Sequence, residues 1–170
     1  WKKHLRKVEH LGGPDIGGAP NPLVVGNQVF VAVFSPGRIV AMDKRTGQRL
    51  WQTNLNYLSG HKLQFHNGLL FGGTSQELVC LDPRNGKIKW TFAPYGLEGE
   101  HMYGLPAFQG GHVYIGDRNG FLHCLAIRDG KPKWKVQTGE GDNNQQNAPL
   151  LISGSTIYAV NTCRRISAFN

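Results

Sequence analysis

Ala41-Met42-Asp43-Lys44-Arg45-Thr46-Gly47-Gln48-Arg49-Leu50-Trp51 reads as the end of one strand, a tight turn, and a second strand that opens on an indole. Two further copies follow. Leu78-Val79-Cys80-Leu81-Asp82 runs through Pro83-Arg84-Asn85-Gly86 to Trp90, and Leu122-His123-Cys124-Leu125-Ala126 runs through Ile127-Arg128-Asp129-Gly130 to Trp134. A glycine stands four residues before each of these tryptophans. Such a glycine adopts positive φ without penalty, as a tight reversal demands, and a side-chain oxygen just before it can bond the turn's own backbone. The indole brings the largest apolar surface of any side chain, so Trp51, Trp90 and Trp134, with Gly47, Gly86 and Gly130, are expected to dock neighbouring sheets on one another, each N–H seeking a carbonyl.

Working outward, each copy is preceded by another short strand. Val29-Phe30-Val31, Leu69-Leu70-Phe71, Val113-Tyr114-Ile115 and Ile157-Tyr158-Ala159 recur at spacings of 40, 44 and 44 residues. The fourth copy continues through Ile166-Ser167-Ala168-Phe169-Asn170. Prolines at 20, 22, 106 and 149 stand ahead of three of the four units, where a strand can begin. About forty residues holding four short antiparallel strands, A to D, is the period of a propeller blade, whereas a β-sandwich needs no such identity between units. The expected fold is all-β, a propeller of about four blades, with strand D at 1–5, blades at 19–55, 61–94 and 105–138, and strands A–C at 148–170.

Composition agrees with this. The 170 residues are 39% hydrophobic and 18% charged, enough to bury a core, and the 23 glycines suit many turns. No segment has the length and apolarity of a membrane-spanning helix, and Trp1-Lys2-Lys3-His4-Leu5-Arg6 lacks the apolar stretch of an attached signal peptide. Nineteen Lys and Arg against eleven Asp and Glu give a net charge of +8, a field that attracts anions and acidic surfaces. Cys80, Cys124 and Cys163 fall in no metal-binding spacing, and Cys80 and Cys124 occupy equivalent places in successive units, too far apart to bridge. They read as small apolar core residues.

The pattern Ala-x-Asp-x-x-Thr-Gly-x-x-x-Trp at 41–51 resembles the tryptophan-docking repeat of pyrroloquinoline-quinone (PQQ)-like β-propellers, and the resemblance runs through nearly the whole chain. The second copy departs from it at Cys80 and Asn85, the third at Cys124, Ala126 and Asp129. The family includes quinoprotein dehydrogenases, outer-membrane assembly lipoproteins and sensor domains of kinases, so it implies fold more firmly than activity. It implies a periplasmic or extracellular setting. Trp1 aligns with the other three tryptophans, so the chain is expected to open on a strand D and to close on strands A–C. Those ends are complementary, and three arrangements satisfy them: closure within one chain, a head-to-tail homodimer, or a covalent other half in a longer polypeptide.

Candidate chemistry divides between two faces. The loops from strand D to the next strand A carry His61, Glu98, Glu100, His101, Tyr103, Asp142 and Asn143, carboxylates, imidazoles and amides that together could hold a cation or polar ligand at a propeller mouth. The turns from C to D and the adjoining strand D carry Lys44, Arg45, Arg49, Arg84, Lys87, Lys89, Arg128, Lys131, Lys133 and Lys135, a basic rim that reads either as a solvated face or as a dock for an acidic protein, a polysaccharide or a lipid head group. Nucleic acid is not the expected partner, because the aromatics that would stack bases are committed to the core. No catalytic residue, resident cofactor or metal is expected. Gly116-Asp117-Arg118-Asn119-Gly120 reads as a turn between strands B and C, and no histidine has a triad partner legible in sequence. The leading expectation is a non-catalytic scaffold for protein–protein contact. The alternatives are a fragment of a quinoprotein dehydrogenase, for which the resemblance implies PQQ and Ca²⁺, and a ligand-sensing propeller domain of a membrane kinase.

Overall fold

A computed structural model describes residues 22–33, 37–55, 63–97, 105–138, 150–161 and 165–169. Short strands dominate, as the alternation of small apolar runs with glycine-bearing turns requires. The first sheet is β1 (Leu23–Val25), β2 (Gln28–Val33), β3 (Arg38–Asp43) and β4 (Arg49–Asn54); the second is β5 (Gln64–His66), β6 (Leu69–Gly73), β7 (Leu78–Leu81) and β8 (Ile88–Phe92). After a further short strand, β9 (Pro94–Leu97), comes the third sheet: β10 (Ala107–Gln109), β11 (His112–Gly116), β12 (Phe121–Ala126) and β13 (Pro132–Gln137). The fourth has three strands among the described residues, β14 (Leu151–Ser153), β15 (Thr156–Val160) and β16 (Ile166–Phe169).

Within each sheet the strands follow chain order and pair antiparallel, the up-and-down meander of a propeller blade. The all-β blade architecture legible in the repeat is therefore the fold. The strand placed at 1–5, with Trp1, lies outside the described residues, and β9 is an addition that the repeat does not contain. In the first three sheets the register between strands C and D slips at one equivalent place, between Ala41 and Met42, Cys80 and Leu81, and Cys124 and Leu125. Ala41, Cys80 and Cys124 face Trp51, Trp90 and Trp134 immediately beside that bulge. A bulge increases local twist and re-aims the bulged strand, so it helps to set the direction in which each indole leaves its sheet.

The core lies between sheets. One cluster joins Phe30, Ile39 and Ala41 of the first sheet to Leu70, Val79 and Leu81 of the second; another joins Phe71, Cys80 and Trp90 of the second to Val113, Ile115 and Leu125 of the third. Strands β3, β7 and β12 are buried along much of their length and β4, β8 and β13 are largely exposed, so burial falls from strand C to strand D. Cys80 and Cys124 are buried free thiols, and burial pushes the Cys80 thiol up to about 12 and raises that of Cys124.

Candidate protein interface

The turns that carry the basic rim are built by their own side-chain oxygens. Asp43 Oδ1 accepts from the backbone N–H of Arg45 and Thr46 at 2.9 and 2.7 Å, and Gly47 N–H closes the turn onto Asp43 O at 2.9 Å. Asp82 repeats this with Arg84 and Gly86, and its carboxylate also takes the Arg84 guanidinium at 2.6 and 3.0 Å. In the third turn Ala126 has no carboxylate, yet Gly130 N–H still bonds Ala126 O at 2.9 Å. The residue before the glycine supplies the remaining contact each time, as Thr46, Asn85 and Asp129 accept from the N–H of Gln48, Lys87 and Lys131. That shared acceptor lets the second and third copies depart from the family pattern at Asn85 and Asp129 without losing the turn. These bonds lower the carboxyls of Asp43, Asp82 and Asp129, Asp82 to about 2 through Arg84.

Two of these turns are also docking platforms. Trp51 Nε1 donates to Pro83 O at 2.8 Å, with Thr53 Oγ1 donating to Gly86 O at 2.6 Å, and Trp90 Nε1 donates to Ile127 O at 3.0 Å. The indole lies flat against the glycine that closes the neighbouring turn. A Cβ on Gly86 would stand 2.8 Å from Trp51 Cδ2, and one on Gly130 would stand 2.5 Å from Trp90 Cε3, so any side chain there collides with the ring. Phe30 packs at 5.7 Å on Trp51, and Phe71 meets Trp90 edge-on at 5.9 Å. Trp134 differs. It is 40% exposed, its ring meets Tyr114 of its own sheet at 5.9 Å, and its N–H reaches no acceptor among the described residues. Gly47 has the same positive φ as Gly86 and Gly130 with nothing within 4 Å of the position a Cβ would take.

All ten basic side chains of the rim are exposed, from Lys44, Arg45 and Arg49 through Arg84, Lys87 and Lys89 to Arg128, Lys131, Lys133 and Lys135. The seven candidate mouth-loop residues, His61, Glu98, Glu100, His101, Tyr103, Asp142 and Asn143, lie outside the described residues. Among the described residues no group of three His, Cys, Asp or Glu stands close enough to hold a metal ion. Trp51 and Trp90 are held in seams between sheets.

One polar cluster escaped sequence reasoning. Asp117 is fully buried at the start of the turn from β11 to β12, where its Oδ1 accepts from Asn119 N–H and Phe121 N–H at 2.8 and 2.9 Å. Its Oδ2 accepts from Tyr95 Oη at 2.9 Å and from Nε2 of His123, itself 3% exposed, at 2.6 Å. Phe92 stands edge-on to the His123 ring at 5.3 Å. Burial pushes the Tyr95 phenol up to about 12, the nearby carboxylate adding to the rise. Alignment of the repeats was the available signal: position 117 corresponds to Thr74, which caps its own turn through Gln76 and Glu77, and position 123 corresponds to Val79. A valine exchanged for histidine at an inward position of a repeat marks a polar core.

The family model described as outer membrane protein assembly factor BamB matches residues 1–61 and 74–170. The outer membrane protein assembly factor BamB of Legionella pneumophila (strain Paris) is 24% identical over 140 residues, covering 82% of this chain and 34% of that protein. In the crystal structure of BamB from Moraxella catarrhalis a similar fold covers 85% of this chain and 46% of that one, with a TM-score of 0.71 at 22% identity. The quinohemoprotein alcohol dehydrogenase from Comamonas testosteroni gives a TM-score of 0.66 at 18% identity over 82% of this chain and 28% of its own. The chain thus spans about a third of the length of the curated relative. With the repeated turn, the docked indole and the match along both stretches of sequence, the chain belongs to the PQQ-like β-propeller family whose model is that of the outer membrane protein assembly factor BamB.

Proposed function

We propose that this chain is a non-catalytic propeller scaffold, or part of one, which holds protein partners during assembly of outer membrane proteins on the periplasmic side of that membrane. The observation that carries this reading is the family match across residues 1–61 and 74–170, set on sheets whose indole seams make a rigid platform. Such a platform displays turns and loops at fixed spacing, which suits recognition better than bond-making. The dehydrogenase alternative has only a likeness of fold to support it.

The partner surface in this proposal includes the exposed basic rim, and the partner is acidic there. Among the described residues Trp134 meets no receiving turn and the platform at Gly47 receives no ring, so we further propose that these two open seams are completed by another four-blade unit, a second copy or a covalent other half. Chemical crosslinking in the bacterial envelope, followed by affinity purification of the full protein, tests the scaffold reading. Recovery of outer membrane assembly components is expected. Their absence, together with dye-linked alcohol oxidation after addition of PQQ and Ca²⁺, would overturn it in favour of the dehydrogenase.

A further inference from the structure

Across strands C and D, next to the indole pair, the three complete sheets place Val40 opposite Gln52, Val79 opposite Thr91, and His123 opposite Lys135. Two neutral pairs have become an imidazole beside an ammonium. At the neighbouring turn Thr74 of the second sheet is replaced by the buried Asp117, which engages His123 and is reached by Tyr95 from β9. Buried ionisable groups in place of valine and threonine bring no packing advantage, and they are tolerated only when their hydrogen bonds are complete. Here four donors meet the Asp117 carboxylate, so the His123 ring is fixed.

That ring lines a groove of about 710 Å³ between the end of β8 and strand β13. One wall is Phe92, Ala93 and Pro94; the other carries Lys131, Lys133 and Lys135. Lys135 Nζ stands 5.0 Å from the centroid of Phe121, which holds its ammonium over the sheet. The groove's acidic member, Asp129, already accepts from Lys131 N–H and Arg128 within its turn. Strand β13 is the outer strand of its sheet, and among the described residues no strand pairs with its free edge. An extended segment laid there meets backbone donors and acceptors, an apolar wall and a set of cations together.

We infer that this groove seats an extended acidic peptide segment of a partner protein, with carboxylates on Lys133 and Lys135 and an apolar side chain against Phe92 and Pro94. This deepens the scaffold reading and rests on it, naming where on the rim an acidic partner binds. Charge complementarity selects the occupant: three lysines line a space whose own carboxylate is engaged.

The test is a fluorescence anisotropy titration of the whole chain with the labelled peptide Glu-Ser-Glu-Ser-Phe, whose alternate side chains project to one side when extended. Binding is expected, weakened at least about tenfold by Lys133→Glu/Lys135→Glu and less than about twofold by Arg45→Glu/Arg49→Glu, which reverses as much charge elsewhere on the rim. The analogue Gln-Ser-Gln-Ser-Phe is expected to lose most of the affinity, and Glu-Ser-Glu-Ser-Ala an intermediate part. Equal loss in the two charge-reversed chains, or no binding of the acidic peptide, overturns the groove as the dock. Recovery of assembly components by the Lys133→Glu/Lys135→Glu protein would overturn it too while leaving the scaffold reading in place.

Discussion

Trp90 and Trp134 occupy the same place in successive repeats, four residues after a glycine and opposite a buried cysteine, yet one is 8% exposed and the other 40%. The difference lies in what each ring meets. Trp90 is received by the turn at Ile127 to Gly130, with a carbonyl for its N–H and a Cβ-free surface for its face, whereas Trp134 has no such turn against it among the described residues. The motif therefore supplies half of a joint. Its energetic value depends on the neighbour, because an indole that stays wet contributes little of the hydrophobic free energy that a buried one does.

The sharpest way to break this comparison is to remove the rings. Burying about 150–250 Å² of indole at roughly 25 cal/mol/Å² is worth about 4–6 kcal/mol before ordering costs, so Trp90→Ala should destabilise by about 3–5 kcal/mol. Urea melts followed by far-UV circular dichroism would register that loss, and a change under about 1 kcal/mol would show that the seam is not cemented by its indole.

The receiving glycines give the next effect. Gly130→Ala must hold an L-residue at positive φ and push a methyl into the Trp90 ring, a combined cost of about 2–4 kcal/mol, whereas Gly47→Ala meets only the backbone penalty of about 1–2 kcal/mol. Equal losses in parallel thermal melts would mean that conformation alone, and not the docked ring, selects glycine. Trp134→Ala comes lower, at about 1 kcal/mol or less in the isolated chain. Association with a second unit that covers the ring would raise that value, so the same melt repeated across protein concentrations sharpens the contrast with Trp90.

Acid provides the smallest effect. The Asp82 carboxyl is held down to about 2 by Arg84, so its contribution is present above the unfolded carboxylate value near 4 and is lost as pH falls toward 2. The Arg84 side chain is 84% exposed, so solvent screens the pair and its contribution is correspondingly small. Over that interval Arg84→Ala should show a slightly shallower fall in Tm than the unmodified chain; identical slopes would remove Arg84 as the cause.

Much of this molecule was legible because its instructions are local. The turn glycines, the oxygens that cap the turns, the strands of alternating burial and the tryptophan four residues after each glycine all act within a dozen residues, and copying them made the period visible. The candidate mouth-loop ligands were legible only as residue types, since nothing local joins His61 to Glu98 or Asp142. The Asp117, His123 and Tyr95 cluster stayed hidden for a related reason: its members come from a turn, a strand and β9, and become one network only when β9 meets the third sheet.

The chain's own sequence determined how each blade is made, because backbone conformation at a glycine and hydrogen bonding within a turn depend on near neighbours. Which indole is buried, which imidazole is locked and where lysines border a groove were decided only by tertiary structure, because exposure and charge pairing belong to the surfaces that meet and not to the segment that carries the residue.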